Sequence, residues 1–186
     1  NKNRRACIQH SGNSKIMKGP AKANLTGRST GQDVVMTPDQ TAAWIVNYFK
    51  PEGKLLEPCR GEGAFYKAMK GMDVDWCEIS EGKDFMDYDK QVDWIITNPP
   101  YSIFDLFLKK SMFISKNIVY FVPLQKLFKS KSNDIDVYQY GGIKEIVNMG
   151  TGSQHGFAMG FLVGCIHYQR DYQGDIKYTR WPGAMK

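Results

Sequence analysis

The run Asn117-Ile118-Val119-Tyr120-Phe121-Val122-Pro123 constrains the fold more than any other stretch of the chain. It is almost continuously apolar, short, and rich in β-branched and aromatic residues. A strand of that kind has to be covered on both faces, as in a parallel sheet flanked by helices. Strand-like segments precede it at 54–58, 74–79 and 92–97, and helix-like segments alternate with them at 38–49, 64–69 and 104–114. The first helix is expected to open on a capping box, with Thr37 at the N-cap, Pro38 in the first turn and Gln40 three residues after Thr37. Residues 126–132 read as a helix end or surface loop, and 138–142 as the end of a short helix. Two more strands, 143–149 and 161–169, flank a glycine-rich loop and suggest an antiparallel hairpin. Strands alternating with helices predict an α/β fold: a doubly wound, mostly parallel sheet with a C-terminal antiparallel hairpin.

A chain of 186 residues has room for one ordinary domain. Its net charge of +6 is unevenly placed. Residues 1–32 carry seven Lys or Arg, no acid and no Phe, Trp or Tyr; the remainder has 18 basic residues against 19 acids. Residues 1–32 therefore read as a flexible basic arm, and 33–186 as the folded domain. Such an arm can attract phosphates or simply aid solubility. No apolar run approaches the roughly 18–20 residues that cross a bilayer, and no signal-peptide pattern is present. The four cysteines are scattered and form no C-x-x-C pair, so neither a disulfide framework nor a zinc site is expected. A cytoplasmic protein without membrane attachment is the expectation.

Three motifs carry chemistry. Glu57-Pro58-Cys59-Arg60-Gly61-Glu62-Gly63 follows a short strand and precedes a helix. Its glycines allow backbone to approach a ligand at the carboxyl edge of the sheet. It lacks the Gly-Lys-Ser/Thr of a phosphate loop, and its two acids suit a cationic ligand better than a pyrophosphate. A purely structural turn would also fit. Glu78 lies 21 positions after Glu57, near the end of the next strand, where a carboxylate can hold ribose hydroxyls. Asp84-Phe85 can supply an acceptor and an apolar face for an aromatic ring. A surface acid, a turn Asp and a core Phe are the simpler readings of these positions. Asn98-Pro99-Pro100-Tyr101 is the most specific signal, since a given tetrapeptide arises by chance about once in a thousand chains of this length. An amide oxygen beside a backbone carbonyl can accept both hydrogens of a planar NH2 group, and a Tyr ring can stack on a base.

On these motifs the sequence resembles the adenine-N6 DNA methyltransferases of the class I, S-adenosylmethionine-dependent superfamily. The family's Asn/Asp-Pro-Pro-aromatic motif corresponds to Asn98-Pro99-Pro100-Tyr101, and its glycine motif to Glu57–Gly63. Thr37 matches the Thr-Pro that opens a helix ahead of that motif. Glu78 matches the ribose-binding acid, and Asp84 and Phe85 the adenine-contacting pair. The resemblance covers about residues 34–170. It implies a Rossmann-like domain with S-adenosylmethionine as cofactor. Thr37, Glu57, Pro58, Gly61, Gly63, Glu78, Ile79, Asp84, Phe85 and Asn98 would bind that cofactor. Asn98, Pro99, Pro100 and Tyr101 would be catalytic. Cys59-Arg60 is an unusual pair within the glycine motif, whose glycine spacing is kept.

The implied reaction moves a methyl group to the exocyclic amine of adenine, most readily in DNA. Tyr101 would stack on the extruded base, with Phe157 as candidate for its opposite face. Lys126, Lys129 and Lys131 are candidates for the nucleic-acid backbone. His155, in the same loop as Phe157, receives no role. Only 16 residues follow Arg170, so a separate recognition domain is not expected within this sequence, and a partner subunit or a homodimer could supply target recognition. The compact form resembles orphan methyltransferases of phages and bacteria. The same chemistry serves adenine in RNA and glutamine in proteins, and a catalytically silent binding subunit would share the fold.

Overall fold

The computed structural model describes residues 35–128, 130–157 and 160–185. The basic arm, 1–32, and Lys129 lie outside the described residues. Four helices, α1 (Asp39–Phe49), α2 (Ala64–Ala68), α3 (Phe104–Ile114) and α4 (Lys131–Tyr140), accompany seven strands. These are β1 (Leu55–Glu57), β2 (Val74–Trp76), β3 (Val92–Thr97), β4 (Ser115–Pro123), β5 (Gly141–Thr151), β6 (Leu162–Arg170) and β7 (Lys177–Arg180). They form one sheet in the order β2-β1-β3-β4-β6-β5-β7. Only β6 is antiparallel to its neighbours, β4 and β5.

The apolar run in β4 is buried for the predicted reason. Ile118, Tyr120 and Val122 enter one core with Phe104, Phe107, Leu108 and Met112 of α3. Val119 and Phe121 enter the opposite core with Ala42, Ile45 and Val46 of α1 and Phe65 of α2. The period of two thus feeds two helical layers. β1 and β3 divide in the same way: Leu56 and Ile95 face the α3 layer, whereas Leu55 and Ile96 face the α1 layer.

Three local expectations need correction. The Thr37 capping box does not form: α1 begins after Pro38 with no side-chain cap. The Thr37 hydroxyl instead accepts a hydrogen bond from Asn98 Nδ2 at 3.3 Å, which removes it from capping. β2 ends at Trp76, short of Ile79, because Glu78 turns the chain by accepting from the Ser80 N–H. Residues 124–128 form a short 3-10 turn, and Lys131 opens α4 behind a Ser130 cap. The predicted antiparallel hairpin forms, with β6 between β4 and β5, and β7 extends the sheet edge beyond β5.

His167 on β6 is buried against Trp94 and Phe49, with Nε2 3.1 Å from Asn117 Oδ1. Burial chiefly, helped by Lys144 and opposed by Glu145, lowers its pKa to about 4. The unfolded chain binds this proton near pH 6.5, so stability from this group is lost as pH falls from 6.5 to about 4. A shift of this size is worth about 3 kcal/mol. His167→Gln should therefore lose less stability than the wild type between pH 7 and pH 4, read as the difference in urea midpoints.

Candidate active site

β1 pairs with β2 on one side and β3 on the other, so the chain reverses its winding between β1 and β3. Ligands of open α/β sheets bind at the carboxyl ends of strands at such a switch point. Here that edge carries Glu57-Pro58 from β1 and Thr97-Asn98 from β3. A cavity of about 530 Å³ opens there. Its walls are the segments 35–37, 58–62, 78–80, 84–86 and 98–100, with Phe107 of α3. Thr37, Pro58, Gly61, Glu78, Ile79, Asp84, Phe85, Asn98, Pro99 and Pro100 all line it, so ten of the singled-out residues meet in one place.

The glycine turn meets its expected requirement. Gly61 has φ +52, a conformation that disfavours side chains. Its N–H donates to Glu78 Oε2 at 2.8 Å, while Glu78 Oε1 accepts from Ser80 N–H and Ser80 Oγ at 3.1 and 2.7 Å. Burial works to raise the Glu78 pKa, but the bonds from Ser80 and Gly61 and the charge of Arg60 outweigh it, so the carboxyl sits below its usual range. Glu78 is an ionised acceptor at the cavity wall. Asp84 also lines the cavity while its Oδ1 accepts from the Met86 N–H at 2.8 Å. Phe85 is buried and packs on Phe107 with ring centroids 4.5 Å apart. Ile79 is 68% exposed, an apolar side chain with little covering it at the cavity mouth.

Asn98 is held by both ends of its amide. Nδ2 donates to the Val35 carbonyl at 3.0 Å and to Thr37 Oγ1, and Oδ1 accepts from the Tyr101 hydroxyl at 2.8 Å. A carbonyl can only accept, so the Val35 contact identifies the nitrogen and orients the amide. Oδ1 keeps a second lone pair for another donor. Lys126 steadies Tyr101: its Nζ donates to the Tyr101 carbonyl at 3.2 Å and lies 5.3 Å from the Tyr101 ring centroid.

Glu57 and Gly63 do not line the cavity. Glu57 is buried; its Oε1 accepts from Thr97 Oγ1 at 2.5 Å and from the Cys59 N–H at 3.2 Å, and its Oε2 has no partner among the described residues. Burial pushes its pKa up to about 8, so it is mostly protonated at neutral pH. The Cys59 thiol donates to the Asn98 carbonyl at 3.1 Å and lies 2.9 Å from Thr97 Oγ1. Burial, with Glu57 beside it, raises the thiol pKa, so Cys59 remains a thiol. Thr97, Met36 and Arg60 are participants that sequence reasoning did not assign. The one available signal was Thr97, a polar residue closing the apolar run Trp94-Ile95-Ile96.

No protein-family model matches the sequence, and no curated protein does. Solved structures do match. A candidate class I S-adenosylmethionine-dependent methyltransferase from Listeria monocytogenes aligns with a TM-score of 0.64 at 15% identity, over 81% of this chain and 67% of that one. A type I restriction-modification methyltransferase subunit from Streptococcus thermophilus aligns with a TM-score of 0.59 at 14% identity, over 78% and 47%. The 23S rRNA methyltransferase ErmE aligns with a TM-score of 0.58 at 13% identity, over 76% and 73%. The chain has the class I methyltransferase fold. It spans about half the length of the type I subunits it matches.

Within this methyltransferase fold, Tyr101 and Phe157 face each other. Their rings are nearly parallel, at 11°, with centroids 6.4 Å apart. Phe157 is buried and also packs edge-on against Phe121 and Phe161. Lys131 is exposed at the start of α4. Arg60, at the cavity wall, lies 4.0 Å over the Trp76 ring and pairs with Glu81, while Lys83 Nζ sits 3.4 Å from the same ring centroid. No helix among the described residues is long and apolar enough to cross a membrane.

Proposed function

We propose that this chain is an S-adenosylmethionine-dependent methyltransferase acting on the exocyclic N6 amine of adenine in DNA. One observation carries the reading: Asn98-Pro99-Pro100 follows β3 into the wall of the switch-point cavity, with the Asn98 amide already oriented by Val35, Thr37 and the adjoining Tyr101.

The residues present suit this cofactor. A 530 Å³ cavity falls within the range of small-molecule sites. The ionised Glu78 is placed to accept from ribose hydroxyls, Ile79 offers an apolar face, and the Pro58–Gly61 turn brings backbone close. Bound there, S-adenosylmethionine supplies an electrophilic methyl carbon on a sulfonium. The adenine amine is a poor nucleophile because its lone pair is delocalised into the ring. Asn98 Oδ1 and the Pro99 carbonyl accept its two hydrogens, which favours a pyramidal nitrogen and frees the lone pair. The same acceptors stabilise the positive charge that grows on nitrogen. Proline fixes φ, so the acceptors are set in place beforehand. As the new N–C bond formed, the methyl–sulfur bond would break and leave a neutral thioether; the nitrogen would then release its surplus proton to water, and no strong base is required.

In duplex DNA the base must leave the stack, at a cost of a few kcal/mol. Tyr101 supplies one stacking face and Phe157 the other. Lys126 acts first on Tyr101 itself; the arm and the remaining lysines serve phosphates. Assembly with a second subunit, or with a second copy, would supply sequence recognition.

The test is to incubate the chain with methyl-labelled cofactor and, separately, DNA, RNA and protein. Label in the DNA, recovered as N6-methyladenine, is expected. Label only in RNA or in protein glutamine would move the substrate, and no label in any pool would reduce the chain to a binding subunit.

Tyr101 gives a second check. Tyr101→Ala should lose about 1–3 kcal/mol of stacking, a roughly 10- to 100-fold fall in kcat/KM. Tyr101→Phe keeps the ring and removes the bond to Asn98 Oδ1, and should stay within about 1 kcal/mol of wild type. Equal damage from both changes would assign the essential role to the hydroxyl.

A further inference from the structure

The histidine left without a role in the sequence sits where the two halves of the site meet. His155 is 1% exposed, in the turn after β5. Its Nε2 lies 2.8 Å from the Met149 carbonyl. A carbonyl only accepts, so Nε2 donates to it, and Nδ1 is in hydrogen-bond contact with the hydroxyl of Thr41 on α1 at 2.9 Å. The ring is walled by Trp181 and Phe121, with centroids at 5.1 and 5.5 Å. The next residue, Gly156, has φ +83, and a Cβ there would come within 3.1 Å of the Met36 carbonyl. The turn is thus pressed against the 35–38 segment, whose Val35 and Thr37 orient the Asn98 amide. One residue further on, Phe157 faces Tyr101.

We infer that His155 is a positioning residue for the target base: it pins this turn to α1, so that the Phe157 ring stays parallel to Tyr101. The inference rests on the adenine reading above. A histidine kept only for packing would gain nothing over phenylalanine between Trp181 and Phe121. What a phenylalanine lacks is two directed bonds to separate elements, α1 and β5. These fix the turn along directions that apolar contact leaves free. None of His155, Thr41 and Phe157 lines the cofactor cavity, so the effect belongs to the target and not to the cofactor.

The test uses the full chain with His155→Phe, Thr41→Val and Thr41→Ser, an adenine-containing oligonucleotide, and calorimetry with S-adenosylmethionine. His155→Phe and Thr41→Val should each raise the oligonucleotide KM about tenfold, as for one buried hydrogen bond lost. Cofactor affinity should stay within about twofold of wild type, and Thr41→Ser should restore KM, because the hydroxyl is kept. The double variant should be no worse than His155→Phe alone, since both break one link. Unchanged KM with a lowered melting temperature would overturn the inference and leave His155 as core packing. A parallel loss of cofactor affinity would also overturn it, as general loosening. Should His155→Phe not fold, Thr41→Val against Thr41→Ser decides alone. If the wild-type chain labels no adenine, the functional reading fails and this inference falls with it; if the wild type labels adenine and the variants keep its KM, only the inference falls.

Discussion

Asn98→Ala should leave a folded protein that binds cofactor and transfers almost no methyl. The amide oxygen is one of two acceptors proposed for the amine, and loss of one preorganised transition-state contact costs about 2.7–4 kcal/mol, or 10²–10³ in kcat. The structure adds a reason to expect the upper end. The same amide ties the 35–37 segment to β3 through Val35 and Thr37, and Tyr101 through its hydroxyl. Truncation therefore removes an acceptor and also takes from the stacking ring the bond its hydroxyl makes to Asn98. Asn98→Asp is a sharper probe. It keeps the shape but places oxygen against the Val35 carbonyl, so the carboxylate must turn or protonate. It should be nearly as inactive as the alanine variant. Single-turnover methylation at saturating cofactor reads both, and retention of more than about a tenth of wild-type rate, less than 1.4 kcal/mol, would remove Asn98 from the chemistry.

Glu78→Ala should raise the dissociation constant of S-adenosylmethionine by about 100-fold or more. Two charge-assisted bonds from ribose hydroxyls, each worth roughly 1.5–3 kcal/mol, would be lost. The carboxylate also holds Gly61 N–H and Ser80, so the glycine turn and the 3-10 turn at Ile79–Glu81 both loosen at the cavity wall. Because that cap is partly exposed, the stability loss should be near 1 kcal/mol, or about 2–4 °C in melting temperature. Glu78→Gln keeps acceptor oxygen and should fall between the two. Calorimetric titration measures the affinities. An alanine variant with wild-type affinity would make Glu78 a turn-former and nothing more.

Burial periodicity made the core strands legible. β4 could be read as covered on both faces because five consecutive apolar side chains at period two can only be satisfied by two layers. The cavity residues were legible because the glycine motif and Asn98-Pro99-Pro100-Tyr101 are local: each is set by a strand end and a turn, and both strand ends lie on one sheet edge. β7 was not legible. Its four residues are mostly exposed, carry no apolar alternation, and pair only because β5 presents an edge. The Thr37 cap was misread because local capping rules do not know that Asn98, 61 positions away, competes for the same hydroxyl.

Alone, then, the sequence determined the α/β class, the strand ends that carry the cavity-lining residues, and the chemistry those residues can offer. Those features depend on side-chain period, turn conformation and functional groups within a few residues of one another. The tertiary structure decided which of them share a cavity. It put Glu57 beneath the site as a buried, largely neutral acid, placed Phe157 opposite Tyr101, and joined His155 to Thr41. Each of these depends on contacts across many residues of chain, whose partners are selected by packing and by the need to pair every buried polar group, and no local pattern records that choice.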